Sequence, residues 1–170
     1  MYPMPAKGAS GLPLDPDAPG PFALEIVEFD HERLRITLPA RVASAVGWLV
    51  GEATDALMVY SEVGRIDVHA WDAIGGIVLA RHRELLEDAT AGHKAALDGL
   101  LVLQDRYHHV RVGKDRRLTV GMQGVFHLRL EGMEDAPIYV AGIIDRITIM
   151  SREYRDQRLR RAPTALSDLP

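Results

Sequence analysis

The feature that most constrains this chain is that it carries its own pattern twice. Arg35-Ile36-Thr37-Leu38 returns as Arg117-Leu118-Thr119-Val120. Leu57-Met58-Val59 returns as Ile138-Tyr139-Val140, and Val63-Gly64-Arg65-Ile66-Asp67-Val68 as Ile144-Asp145-Arg146-Ile147-Thr148-Ile149. The shift is the same for the last two blocks (57 to 138, 65 to 146) and one position longer for the first (35 to 117). Order, spacing and type of element all agree, which marks an internal duplication. Each unit is too short to bury an apolar face of its own. The two copies are therefore expected to interleave around one core, within the size of a single compact domain or two fused half-domains.

Local patterns divide the chain into five stretches. Residues 1–22, with Pro3, Pro5, Pro13, Pro16, Pro19 and Pro21 and no apolar period, read as a flexible arm. Residues 23–72 form the first repeat. In it, LEIVEF alternates as a strand does, and Asp30-His31-Glu32 breaks the pattern. Arg33 to Leu38 then reads as a second strand with Leu34, Ile36 and Leu38 on one face and Arg33, Arg35 and Thr37 on the other. Pro39 is suited to open a short helix as its first residue. ALMVYS and RIDVHAW, divided by Glu62-Val63-Gly64, read as a hairpin. Residues 73–104 have helical spacing, interrupted at Gly92, and read as connecting helices; Leu100 to Leu103 could equally begin the next strand. Residues 105–158 repeat the strand–turn–strand and hairpin and end in a basic helix, and 159–170 read as a polar tail.

Composition excludes several classes. The chain has no cysteine, so neither a disulfide framework nor a thiolate metal site is possible. No apolar run approaches the roughly 20 residues that span a bilayer, and MYPMPAKGAS lacks the apolar segment of a secretory signal. A cytoplasmic protein without a membrane partner is expected. The net charge of −4 argues against a surface that is basic all over. Basic residues nevertheless cluster at Arg33 and Arg35, between Arg111 and Arg117, and between Arg152 and Arg161, so a local basic face on an acidic body is possible.

The segment "strand, R-I-T-L-P, short helix, G, strand, R-I-x-V" resembles the AbrB/SpoVT type of swapped-hairpin β-barrel. Its duplication within one chain, followed by a helix opened at Trp71-Asp72, resembles the MraZ family over about residues 24 to 158. This resemblance implies a mainly β, α+β fold built as a duplicated AbrB-like barrel. It also implies a transcriptional regulator that assembles into a ring or dimer, associates with the nucleoid, and presents the basic strands of several subunits to double-stranded DNA. The residues carrying such contact would be Arg33, Arg35, Arg41, Lys114, Arg116 and Arg117. The sequence departs from the family pattern where an Asp is expected four residues before the motif arginine: His31 and Gly113 stand there. Gly121 occupies the place of Pro39 in the second copy.

Other constellations point nowhere as firmly. The arginines of the C-terminal helix suit a solvated helix end. The histidines show no metalloprotease spacing, and adjacent His108 and His109 on a strand point to opposite faces. There is no phosphate-binding glycine loop and no nucleophile elbow, so no catalytic residue, cofactor, metal or small-molecule substrate is assigned and the chain is not expected to be an enzyme. Two alternatives remain: an oligomeric protein-interaction module that keeps the fold without DNA contact, and a ligand-binding or enzymatic barrel with a pocket around His108, His109 or His127.

Overall fold

The computed structural model describes residues 21–48, 51–132, 137–143 and 145–167. Of the arm expected over residues 1–22, residues 1–20 lie outside the described residues. Pro21 and Phe22 already belong to the first strand. The first half runs β1 (Pro21–Val27), β2 (Arg35–Thr37), α1 (Ala40–Ala45), β3 (Thr54–Tyr60) and β4 (Arg65–Ala70). A helical hairpin follows, α2 (Trp71–Thr90) and α3 (Lys94–Arg106). The second half runs β5 (Tyr107–Val112), β6 (Arg117–Thr119), α4 (Gly121–His127), β7 (Ile138–Ile143), β8 (Arg146–Ser151) and α5 (Arg152–Ser167). Pro39 caps α1 from outside rather than forming its first residue. Leu100 to Leu103 continue α3, and α5 runs well past residue 158.

This is an α+β architecture: an antiparallel sheet of six strands in the order β1-β7-β8-β4-β3-β5, and a separate two-stranded ribbon of β2 and β6. Among the strands of the described residues, only the hairpins β3–β4 and β7–β8 pair within a repeat. Every other partnership crosses from one repeat to the other: β1 with β7, β5 with β3, β4 with β8, β2 with β6. The registers obey the repeat. Ile26 faces Tyr139 in the β1–β7 pair. Their counterparts in the opposite copies, His108 and Met58, face each other in the β5–β3 pair. Ile36 faces Leu118 and Asp67 faces Thr148, each pair being one repeat position met by its own copy. A two-fold axis of pseudosymmetry therefore passes between the members of both pairs.

The core lies on that axis. Ile36, Leu38, Val42, Ile66 and Val68 from the first copy pack with Leu118, Leu128, Val140, Ile147 and Ile149 from the second, all buried. Alternation along β4 and β8 explains the mixture, since one face of each central strand is apolar and turned to the core. Gly142 is needed for closeness: a Cβ there would lie 3.0 Å from the carbonyl oxygen of Val42, where α1 crosses β7.

At the dyad the other face of β4 and β8 buries a charge. Asp67, 5% exposed, accepts hydrogen bonds from Ser61 Oγ (2.7 Å), Thr148 Oγ1 (2.8 Å) and Arg65 Nε (3.1 Å), and pairs with Arg65 Nη2 at 3.0 Å. Burial pushes its carboxyl upward, but the bonds from Arg65, Ser61 and Thr148 together outweigh burial and hold it below the usual carboxylate range. Arg146, the counterpart of Arg65, has threonine where Arg65 has a carboxylate neighbour on its own strand. Its buried Nε finds no hydrogen-bond partner among the described residues and stops 4.0 Å from Asp67 Oδ1.

Two outcomes are expected. Asp67→Ala leaves the partly buried Arg65 guanidinium without its counter-charge and should remove about 3 kcal/mol in urea unfolding. Because the folded carboxyl titrates below its unfolded value of about 3.9, the stability Asp67 confers is complete above that value and lost as pH falls through the folded one, so wild-type stability should drop more steeply in acid than that of Asp67→Asn. Separately, the residue after the C-cap of α1 is Gly47 (φ +81°), but its counterpart after the C-cap of α4 is Arg129 (φ +54°). That left-handed position favours glycine, and Arg129→Gly should raise stability by about 0.5–1 kcal/mol.

Candidate nucleic-acid interface

Local sequence explains why the β2–β6 ribbon stands apart from the main sheet. Leu34 and its counterpart Arg116 both adopt left-handed backbone, with φ of +52° and +61°. This reverses the chain immediately before each short strand and confines the strands to Arg35–Thr37 and Arg117–Thr119. The expected strand from Arg33 to Leu38, with Arg33 and Arg35 side by side on one face, is corrected accordingly. Arg33 lies in the turn of residues 31–34, and only Arg35 is on the strand. The ribbon is closed at both ends by symmetric backbone bonds: Leu38 N–H donates to Arg116 O, and Val120 N–H to Leu34 O, both at 2.8 Å.

Ile36 and Leu118 face inward, 1% and 0% exposed, and tie the ribbon to the core. The alternate residues face outward: Arg35 opposite Thr119, and Thr37 opposite Arg117. The outer surface thus carries two arginines and two threonines related by the dyad, flanked by the turns holding Arg33 and Lys114. In ribbon and turns, five cations (Arg33, Arg35, Lys114, Arg116, Arg117) meet three carboxylates (Asp30, Glu32, Asp115), a local positive surplus on a chain of net charge −4.

The carboxylates are organised. Asp30 accepts Arg33 N–H at 3.0 Å and lies 3.3 Å from Arg35 Nε and 3.9 Å from Arg33 Nη1. The backbone bond from Arg33, with the charge-assisted bond from Arg35, lowers its pKa against the opposing effect of burial. Asp115 Oδ2 sits 3.0 Å from Arg117 Nε. Both contacts use Nε and orient the planar guanidinium. Arg116 is committed differently, its Nε donating to the Leu38 carbonyl at 3.0 Å. Lys114 is exposed and enters no ion pair among the described residues. Arg41 belongs to another surface: on α1, it contacts Glu25 Oε1 (3.5 Å) and the Leu24 carbonyl (3.4 Å) of β1. Of the six expected contact residues, the fold brings five to the ribbon and its turns and leaves Arg41 aside.

Thr37 and Thr119 were not singled out by sequence, although R-x-T stands in both copies and the alternation places them beside the arginines. The three histidines weighed as pocket residues serve the framework. His108 meets Tyr60 edge-on, His109 stacks on Trp71 at 4.1 Å, and His127 Nε2 bonds the Arg65 carbonyl at 2.8 Å. A cleft of about 630 Å³ under α5, lined in part by Leu128, Leu130, Arg152 and Asp156, holds no histidine. Among the C-terminal arginines, Arg152 pairs with Asp156, and Arg155 lies 4.4 Å over the Tyr139 ring. No helix among the described residues is long and apolar enough to cross a membrane.

No family model and no curated protein matches the chain.

The ribbon arginines should separate by structural role. Arg116→Ala loses the bond to Leu38 and is expected to lower unfolding free energy by about 1 kcal/mol. Arg33→Ala and Arg117→Ala remove only exposed pairs and should leave the urea midpoint almost unchanged.

Proposed function

We propose that this chain is a DNA-binding transcriptional regulator of the MraZ/AbrB type, acting as an oligomer through the β2–β6 ribbon on a duplicated swapped-hairpin framework. The observation that carries this is the outward face of the ribbon, where dyad-related Arg35 and Arg117 stand with Thr37 and Thr119 on a support fixed by Ile36 and Leu118. A two-stranded ribbon fits the major groove of B-form DNA. A guanidinium oriented through Nε keeps its terminal nitrogens for a phosphate or for the paired acceptors of guanine. Threonine hydroxyls add phosphate or base-edge bonds. The carboxylates are a modest obstacle: the Arg117–Asp115 pair is exposed and the Arg35–Asp30 pair only partly buried, and ion pairs open to solvent hold weakly enough for a phosphate to replace them.

The strand exchange between repeats agrees with the swapped-hairpin part of this assignment, since the hairpins β3–β4 and β7–β8 each pair outward only with the other copy. A protein-interaction module is the second reading, favoured by one observation: Asp30 and Asp115 already satisfy Arg35 and Arg117 within the chain.

Binding to labelled genomic fragments across a salt series decides between them. The wild type should retain a subset of fragments, with affinity falling steeply as salt rises. Arg33→Ala/Arg35→Ala/Arg117→Ala should bind at least tenfold more weakly, with the log–log salt slope shallower by about 0.9 for each phosphate contact removed. A wild type that binds no fragment at low salt would overturn the DNA assignment in favour of a protein partner.

A further inference from the structure

The α2–α3 hairpin is larger than its own core can explain. Helices of 20 and 13 residues enclose a cluster of only Leu85, Ala96 and Leu100, with Ala89 half-buried beside it. Four leucines, Leu79, Leu86, Leu97 and Leu101, remain 50–54% exposed on the same two helices. Their positions are not scattered. At about 100° per residue, Leu79 and Leu86 fall within about 20° of each other, and Leu97 and Leu101 within about 40°. The first pair is turned about 90° from the line of Leu85 and Ala89, by which α2 meets α3. The second is turned about 100° in the same rotational sense from the line of Ala96 and Leu100. Because the helices are antiparallel, equal senses of rotation bring both pairs to one side of the hairpin. Ile77 and Val102, also exposed, fall on the opposite side.

We propose that this leucine face is where a second copy of the chain docks, two hairpins closing face to face into a four-helix bundle. Size and charge both favour a copy as the occupant. The helices are about 30 and 20 Å long and about 10 Å across each. The face therefore offers about 500 Å² per copy, or about 1,000 Å² in total, which meets the lower bound for a specific interface. Beside the stripe on α2 stand Arg83 and Glu87, both exposed and in no ion pair among the described residues. Two copies related by a dyad can set the Arg83 of each toward the Glu87 of the other. An apolar centre edged by both signs of charge is self-complementary, as a two-fold contact requires. This extends the function proposed above by naming the surface through which copies meet, and rests on it only for the use of that assembly.

The test is mass by light scattering and sedimentation, without nucleic acid, across a hundredfold range of protein concentration. Wild type should run at a multiple of 18.8 kDa. Leu86→Glu/Leu97→Glu should run as a single chain with unchanged circular dichroism, while Ile77→Glu/Val102→Glu stays associated. Should the charged pair fail to fold, Leu86→Ala/Leu97→Ala should weaken association at least tenfold. A wild type monomeric at every concentration, an unchanged mass in the leucine variants, or equal dissociation of the Ile77/Val102 variant would each overturn the proposal; the first would assign the face to a different protein. A monomer that binds DNA defeats this interface alone, and an oligomer that ignores DNA defeats the DNA assignment alone.

Discussion

Everything in this fold depends on the exchange of strands between two copies of one short unit. Neither half can close its own hydrogen-bond ladder: apart from the hairpins β3–β4 and β7–β8, each strand finds its partner in the other repeat. Unpaired backbone along the edges of β4 and β8 would be buried without partners, a penalty too large for a small domain to carry. The halves therefore fold together or not at all. The centre of the exchange is also where Asp67 is buried among Arg65, Ser61 and Thr148. A buried ion pair is a weak source of net stability but a strict one in register, because a one-residue slip of β4 against β8 would strand both charges. Duplication has made this strictness asymmetric: one copy keeps the acid, the other supplies a hydroxyl, and Arg146 is left short of a partner.

The same symmetry builds the outer surface. A two-fold axis that pairs Ile36 with Leu118 inside must pair Arg35 with Arg117 outside, since alternate residues of a strand face opposite ways. Divergence then differentiates the two ends. In the first copy the orienting carboxylate comes from Asp30, well upstream of its arginine; in the second it comes from Asp115, inside the turn that leads into the strand. Different local sequences reach the same arrangement, a guanidinium held at Nε.

Much of this was legible from the chain. The spacing that takes 35 to 117 and 65 to 146 survives in every cross-repeat register, because an insertion inside a paired strand would turn its apolar face outward. The helical stretch with its break at Gly92, the hairpin turn at Gly64 and the opposed faces of His108 and His109 followed from period and turn chemistry. The strand drawn from Arg33 to Leu38 failed because its apolar alternation begins too early. Leu34 packs against the core from left-handed backbone, which no period-two pattern reveals. The ties of Arg41 to β1 and of Arg116 to the Leu38 carbonyl were equally hidden, since both depend on elements brought together only by the fold.

One physical shortage links the ribbon and the helical hairpin. A single ribbon offers few cations, several of them already shared with carboxylates, and the affinity of such contacts for a polyanion grows with the number of phosphates engaged at once. A hairpin with a three-residue core likewise leaves its leucines without cover. Joining two copies through the hairpin, as proposed, would answer both: apolar surface would leave water, and the two ribbons would act at one high local concentration, so weak contacts would combine without any being strengthened. Carboxylates more than a Debye length of about 8 Å from a duplex repel it little at physiological salt, so the net charge of the whole chain weighs less than the charge at the ribbon itself.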